Sequence, residues 1–142
     1  TIGFRDNIKT YISHNKGAYW ELVRAPETDM KGKSTKCYLE DGCSLHFNIY
    51  NRLGDAYHAP PYSSENAVGV IMAVGNTGKV LKKNRGDKKN TYLSRDGGLK
   101  WTEIAKVPLI YEFGDHGGIL VAAANTEATT QIRYSWNEGM TW

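Results

Sequence analysis

The segment Ser94-Arg95-Asp96-Gly97-Gly98-Leu99-Lys100-Trp101 decides the fold, because the chain contains its pattern three times. Each copy reads Ser-x-Asx-x-Gly-x-x-Trp, where Asx is Asp or Asn, and each follows a short apolar run typical of a β-strand. The shared positions are Ser13, Asn15, Gly17 and Trp20; Ser94, Asp96, Gly98 and Trp101; and Ser135, Asn137, Gly139 and Trp142. A pattern repeated with constant spacing indicates a repeated supersecondary unit.

The pattern predicts a hairpin turn between two strands. The Asx side chain can accept hydrogen bonds from backbone N–H groups further round the turn. The glycine supplies a positive φ that other residues resist. The tryptophan begins the return strand and buries its ring between neighbouring sheets, at the edge of the core where its N–H can find a partner. We therefore predict that these twelve residues hold turns and do not contact a ligand.

All three copies resemble the Asp-box, a structural turn of β-propeller blades that occurs in sialidases and in sortilin-type receptors. Asn15 and Asn137 stand where the motif has its aspartate, and Asn retains the acceptor oxygen that the turn needs. The resemblance implies an all-β fold that forms part of a β-propeller.

The residues between the boxes narrow this resemblance to one family. Cys37 and Cys43 lead directly into Ser44-Leu45-His46, and Gly114–Ala122 precedes the last box. Other matching segments are Trp20–Pro26, Asn66–Ile71 and Gly75–Gly78. Their order resembles the later part of the sortilin-family propeller, the vacuolar-protein-sorting-ten domain, over nearly the whole chain. In that family a ten-bladed propeller precedes cysteine-rich modules and one membrane span.

The resemblance implies a lumenal segment of a sorting receptor that binds peptide or protein cargo and cycles between Golgi and endosomes. We expect about three blades: a hairpin over about 1–25, a second blade with a cysteine-loop insertion over 26–106, and a third over 107–142. Apolar runs predict buried strands over Ala67–Val74 and Ile119–Ala124, and alternation predicts a strand over Ser44–Tyr50. Because the chain ends on a box tryptophan, we expect a piece of a larger, membrane-anchored protein.

The resemblance, together with their short separation, implies a disulfide between Cys37 and Cys43. Two free thiols in a cytosolic domain are the alternative. A zinc site would need His46 as a third ligand and has no clear fourth, so we expect no metal. His14 and His58 are scattered, whereas His116 beside Asp115 could titrate near endosomal pH or serve a purely structural role.

Catalytic and nucleic-acid functions find little support in the chain. The net charge of +3 is too small to argue for nucleic acid, and no apolar run is long enough to span a membrane. We expect no membrane contact by this segment. The basic segment 79–89 could bind acidic cargo or form a solvated connector. We expect no cofactor and no catalytic residues; the alternative is a fragment of a sialidase-like glycosidase, which would need convergent arginines. The arginines are Arg5, Arg24, Arg52, Arg85, Arg95 and Arg133. No cargo-binding residue follows from the sequence.

Overall fold

The structure is a computed structural model that describes residues 7–49, 59–83, 88–125 and 128–142. Within these ranges the fold is all-β, as predicted, and two short 3-10 turns (Leu39–Asp41 and Asp115–Gly117) are its helical elements. The strands are β1 (Tyr11–Ile12), β2 (Glu21–Leu22), β3 (Ser44–Phe47), β4 (Tyr62–Ser63), β5 (Ile71–Gly78), β6 (Asn90–Ser94), β7 (Thr102–Ala105), β8 (Leu109–Gly114), β9 (Ile119–Ala124) and β10 (Ile132–Ser135).

The strands form three antiparallel sheets, an arrangement consistent with part of a propeller. The first hairpin is β1 paired with β2. The second sheet has the order β3-β5-β6-β7, with β4 also pairing with β5, and the third sheet has the order β10-β9-β8. Each of the three repeated turns joins or follows strands of a different sheet. Among the described residues no helix has both the length and the apolar character needed to cross a membrane.

Most predicted strands are present, but their bounds differ. The strand over Ile119–Ala124 is confirmed as β9, but the prediction that it is buried is wrong, because Ile119 and Val121 are exposed and only one of its faces is covered. The prediction for Ala67–Val74 is wrong in its first half, because residues 67–70 form a turn in which Gly69 has φ +82° and Val70 N donates to Ala67 O. Ala67 and Val70 are nevertheless buried, so the apolar run reports burial here and not extended backbone. The strand that starts at Ser44 ends at Phe47, and Tyr50 lies outside the described residues.

The second sheet is covered on both faces, which makes it the centre of the fold. One face packs on the first hairpin through a cluster of Val23, Leu45, Phe47, Ala73, Tyr92 and Trp101, with Ile12 at its edge. The opposite face packs on the third sheet through Met72, Leu93 and Leu120, together with the Ala67–Val70 turn. β5 and β6 supply side chains to both clusters, since successive residues of a strand point to opposite faces.

Trp101 joins two of these layers. Its ring lies 4.5 Å from the ring of Phe47 and is only 6% exposed. Trp20 and Trp142 are 53% and 41% exposed, although they occupy the same position in their turns. The predicted burial between sheets therefore holds for Trp101, which belongs to the cluster between the first hairpin and the second sheet, and not for Trp20 or Trp142, which belong to no buried cluster of the described residues.

We expect Trp101→Ala to lower the free energy of unfolding by about 3–5 kcal/mol, since it opens a cavity between the first hairpin and the second sheet. Trp136→Ala is the matched control, because that ring is 69% exposed and should change stability by less than about 0.5 kcal/mol. Equilibrium urea unfolding followed by circular dichroism measures both. Equal losses for the two variants would contradict the layered packing.

Candidate functional site

The three repeated turns, called box turns below, share one set of hydrogen bonds. The serine Oγ donates to the Asx Oδ1 at 2.9–3.0 Å and accepts from the glycine N–H at 2.8–2.9 Å. The same Asx Oδ1 accepts a backbone N–H four residues on, from Tyr19, Lys100 or Thr141, at 2.8–3.0 Å. Each box turn is therefore closed from within, by its own side chains.

The glycine and tryptophan complete each turn. Gly17, Gly98 and Gly139 have φ of +88°, +93° and +79°, the left-handed conformation that the pattern predicts. Each tryptophan Nε1 donates to the carbonyl of the glycine in its own turn at 3.0–3.1 Å. The indole N–H thus has a partner whether the ring is buried or exposed.

The shared geometry explains why Asn replaces Asp in two turns. Only the acceptor oxygen Oδ1 takes part in the shared hydrogen bonds, and both residue types carry one. In the second turn, partial desolvation of Asp96 opposes ionisation. Hydrogen bonds from the Lys100 N–H and the Ser94 hydroxyl outweigh it and lower the pKa of the carboxyl.

A disulfide between Cys37 and Cys43 closes a short loop ahead of β3, with Cα atoms 5.1 Å apart. This loop encloses the 3-10 turn Leu39–Asp41. Gly42 follows that turn with φ +72°, which brings Cys43 back beside Cys37. The disulfide therefore fixes how the polar 26–43 segment enters the edge strand of the second sheet.

Two carboxylates tie the preceding segment to the second sheet. Asp29 accepts from the N–H groups of Lys31 and Lys33 and from Lys106 Nζ, and these hydrogen bonds, that of Lys106 foremost, lower its pKa to about 2. Glu103, in β7, accepts from Met30 N at 3.3 Å and from Asn90 Nδ2 at 2.7 Å. No sequence pattern predicts a role for either residue, because each carboxylate has a partner that lies far along the chain.

His46 is completely buried at the junction of the first hairpin and the second sheet. Its Nδ1 accepts the backbone N–H of Thr10 at 3.2 Å, and its Nε2 lies 3.0 Å from Gly78 O and 3.2 Å from Ser44 Oγ. A carbonyl only accepts, so Nε2 carries the proton and the ring is neutral. Burial, aided by the positive charge of Lys9 and opposed by the Gly78 carbonyl, lowers the pKa of His46.

A cleft lies between the first hairpin and the second sheet. It has a volume of about 740 Å³ and is open to solvent. Its walls are residues 21–28 on one side and residues 98–102 on the other, with Ile12 and His14 at one end. The charged residues of its lining are Glu21, Arg24, Glu27 and Lys100, and Glu21 Oε1 lies 3.7 Å from His14 Nδ1.

The remaining candidates from the sequence do not gather into one site. His116 is exposed in the 3-10 turn before β9, and its Nδ1 lies 3.8 Å from Oδ1 of the adjacent Asp115. Lys89 in the basic segment is buried, which is at odds with a fully solvated connector. Arg24, Arg95 and Arg133 belong to three different sheets or turns, whereas His58, Arg5, Arg52 and Arg85 lie outside the described residues. Among the described residues no group of three or more His, Cys, Asp or Glu is placed to hold a metal ion.

Antiparallel sheets with repeated box turns are consistent with part of a β-propeller, a class of repeat proteins. Residues 2–142 match the family model described as Sortilin-Vps10 (sortilin, neurotensin receptor 3), and the chain belongs to this family. It is similar to "Vacuolar protein sorting/targeting protein 10" of Debaryomyces hansenii, with 39% identity over 97% of this chain and 9% of the relative. The "Sortilin-related receptor" of Oryctolagus cuniculus is 38% identical over 96% of this chain and 6% of that protein. The chain spans a tenth or less of these curated relatives.

We expect Asp96→Asn to change the free energy of unfolding by less than about 0.5 kcal/mol at pH 7, because Asn keeps the acceptor oxygen. Asp96→Ala removes the hydrogen bonds to Ser94 and Lys100 and should cost about 1–2 kcal/mol. Thermal and urea unfolding measure both variants. An Asn variant as unstable as the Ala variant would show that the turn requires a charge.

Acidification should destabilise the protein through His46. Its folded-state pKa is lower than the usual 6.5, so the unfolded state takes up the proton first as the pH falls. The neutral ring therefore makes its full contribution to the free energy of unfolding above pH 6.5. Below pH 6.5 the free energy of unfolding decreases, by at most about 1.4 kcal/mol per pH unit. Urea unfolding at about six pH values, from roughly pH 7.5 to 5, measures this slope.

His46→Gln should flatten that pH dependence, because the titrating group is gone. His116→Gln is the matched control, since it removes an exposed histidine outside the core. The interpretation fails if the His46 variant keeps the wild-type slope, or if the His116 variant loses it.

Proposed function

We propose that this chain is a lumenal segment of a sortilin-like sorting receptor, in which it forms part of the propeller wall that binds peptide or protein cargo. The complete receptor is anchored in the membrane and moves cargo between Golgi and endosomes. The match to the sortilin family over residues 2–142 carries this proposal. The relatives' printed names, which describe vacuolar sorting and a sortilin-related receptor, support it.

The Cys37–Cys43 disulfide supports the lumenal location. Disulfides persist in oxidising compartments such as the secretory pathway and are rare in the cytosol. The Cys37–Cys43 disulfide closes a short loop. That loop follows a segment which the hydrogen bonds of Asp29 and Glu103 hold against the second sheet. The lumenal side of the endomembrane system supplies the oxidising conditions that such a bond needs.

A binding role is favoured over a catalytic one. Glycosidase chemistry of the sialidase kind needs several arginines directed at one point. Arg24 follows β2, Arg95 lies in the box turn of the second sheet and Arg133 lies in β10, so the three belong to different units. The box residues bond within their own turns, so we assign them a structural role and not a catalytic one.

The three sheets correspond to the blades of this proposal. We assign the first hairpin to one blade (about 1–25), the second sheet and its cysteine loop to the next (26–106), and the third sheet to the last (107–142). A propeller's binding site lies where many blades converge, and a ligand there is enclosed from several sides. We therefore expect the isolated chain to have no enzymatic activity and to bind cargo peptides weakly.

A chimaera tests the function. The matched segment of the Debaryomyces hansenii relative is replaced by this chain, and the chimaera is expressed in a strain that lacks its own copy. The fraction of a vacuolar protein that is secreted instead of retained is measured by immunoblotting. We expect retention close to that of the unaltered relative, because the 39% identity spans 97% of this chain.

Two variants of the chimaera provide matched controls. Trp101→Ala should cause secretion of the vacuolar protein, because it breaks the contact between the first hairpin and the second sheet. Val68→Ala, at an 89% exposed side chain, should leave sorting unchanged. A correctly folded, correctly located chimaera that fails to retain the vacuolar protein would count against the proposed function, as would sialidase turnover by this chain.

A further inference from the structure

The box turns of the second and third sheets each contact the preceding unit of the chain at the box glycine. A Cβ atom added at Gly98, in the second sheet, would overlap Ile12 Cδ1 of the first hairpin. A Cβ atom added at Gly139, after the third sheet, would overlap Leu93 Cδ2 of the second sheet. At both glycines, here called sockets, a methyl group from the preceding unit therefore occupies the space that a side chain would need.

The side chains in the two sockets occupy the same position of the repeat. Ile12 immediately precedes Ser13, and Leu93 immediately precedes Ser94. The residue before one box turn thus packs on the glycine of the next box turn, and the same contact is used at two boundaries. Each of these contacts joins two units of this chain.

Each of these two box turns is also bonded to the turn that leads into the middle of its own sheet. Gly97 N donates to Gly69 O at 2.9 Å, just before β5, and Glu138 N donates to Gly118 O at 3.3 Å, just before β9. Both donors stand three positions after the box serine, and both acceptors stand two positions before the strand residue opposite that serine. This backbone bond is therefore a second repeated contact, and it lies beside the socket.

The two turns that accept these bonds also contact one another. Gly117 is buried, and a Cβ atom added to it would overlap Ala67 Cβ and would lie 3.2 Å from Val70 Cγ2. The backbone reaches this position through Asp115 and His116, with φ of +46° and +55°, a conformation that residues other than glycine rarely adopt. Such a backbone persists only where the surrounding structure holds it. The close contact with the Ala67–Val70 turn is one such restraint.

We propose that these box turns orient each sheet on the one before it, in addition to closing their own hairpins. Ile12 and Leu93 fix the positions of the sockets, and the backbone bonds transmit those positions to the turns that lead into β5 and β9. Gly117 adds a further contact between the second and third sheets. All these contacts lie at the end of the sheets that carries the box turns, where they form one seam across both boundaries. The seam belongs to the packing of this chain and does not require the proposed sorting function.

A double-mutant cycle separates the socket contact from the backbone cost of alanine at positive φ. Ile12→Val removes the Cδ1 methyl group that a Cβ atom at Gly98 would meet. We expect Gly98→Ala to raise the equilibrium constant for urea unfolding at least about fivefold more with Ile12 present than in the Ile12→Val background. Gly97→Ala is the matched control, because Gly97 also has positive φ (+71°) but has nothing within 4 Å of an added Cβ atom. The control should have the same effect in both backgrounds.

The proposal is overturned if Gly98→Ala has equal effects in the two backgrounds, or if it prevents folding in both, because Ile12→Val frees the space that the added methyl group needs. Where Gly98→Ala folds only together with Ile12→Val, that recovery is the expected coupling. Either result concerns packing alone and leaves the sorting function to be tested separately.

Native-state amide hydrogen exchange shows whether the effect crosses the boundary between units. Thr10 N–H bonds to His46 Nδ1 and Leu45 N–H bonds to Val23 O, so both amides report the contact between the first hairpin and the second sheet. Relative to the amides of β9, we expect Gly98→Ala to speed their exchange at least about fivefold and Gly97→Ala to leave it unchanged. Faster exchange confined to residues 94–101 would show that the glycine serves only its own turn, and would overturn the proposal.

Discussion

The burial of both faces of the second sheet is the constraint on which the rest of the structure depends. Leu45, Phe47 and Tyr92 face the first hairpin, while Met72 and Leu93 face the third sheet. The first hairpin has only two residues in each strand, and such a short hairpin is not stable alone in water. Its packing on the second sheet, assisted by the bonds of Thr10 to His46 and Phe47, keeps it in place.

The box turns solve a separate problem, because they close each hairpin without help from its neighbours. Their hydrogen bonds lie within residues 13–20, 94–101 and 135–142, and the same bonds form whether the tryptophan is buried or exposed. Local closure and packing between layers are therefore independent. The two meet at the glycine, which supplies the turn's positive φ and, in the second and third copies, also receives a side chain from the preceding unit. This double role explains why glycine stands at this position.

Local patterns predicted what local forces determine. The turn chemistry followed from Ser, Asx and Gly alone, and the strand over Ile119–Ala124 from its apolar run, because both depend on residues close in sequence. Prediction failed at Ala67–Val70, where the apolar residues are buried in a turn and not in a strand. It also missed a buried polar residue whose hydrogen-bond partner lies far from it in the sequence. His46 is the clearest case: its bonding partner Thr10 lies far away in the sequence, and only the packed layers bring the two together.

The sequence by itself determined the class of fold, the repeated unit and the family, since the repeated pattern and the match over residues 2–142 are properties of the residue order. Tertiary structure alone decided which of three equivalent tryptophans is buried and which histidine is neutral in the core. The physical reason is that burial depends on what lies across from a residue. Trp101 differs from Trp20 and Trp142, although the three turns share one set of hydrogen bonds, because its ring packs in the cluster between the first hairpin and the second sheet.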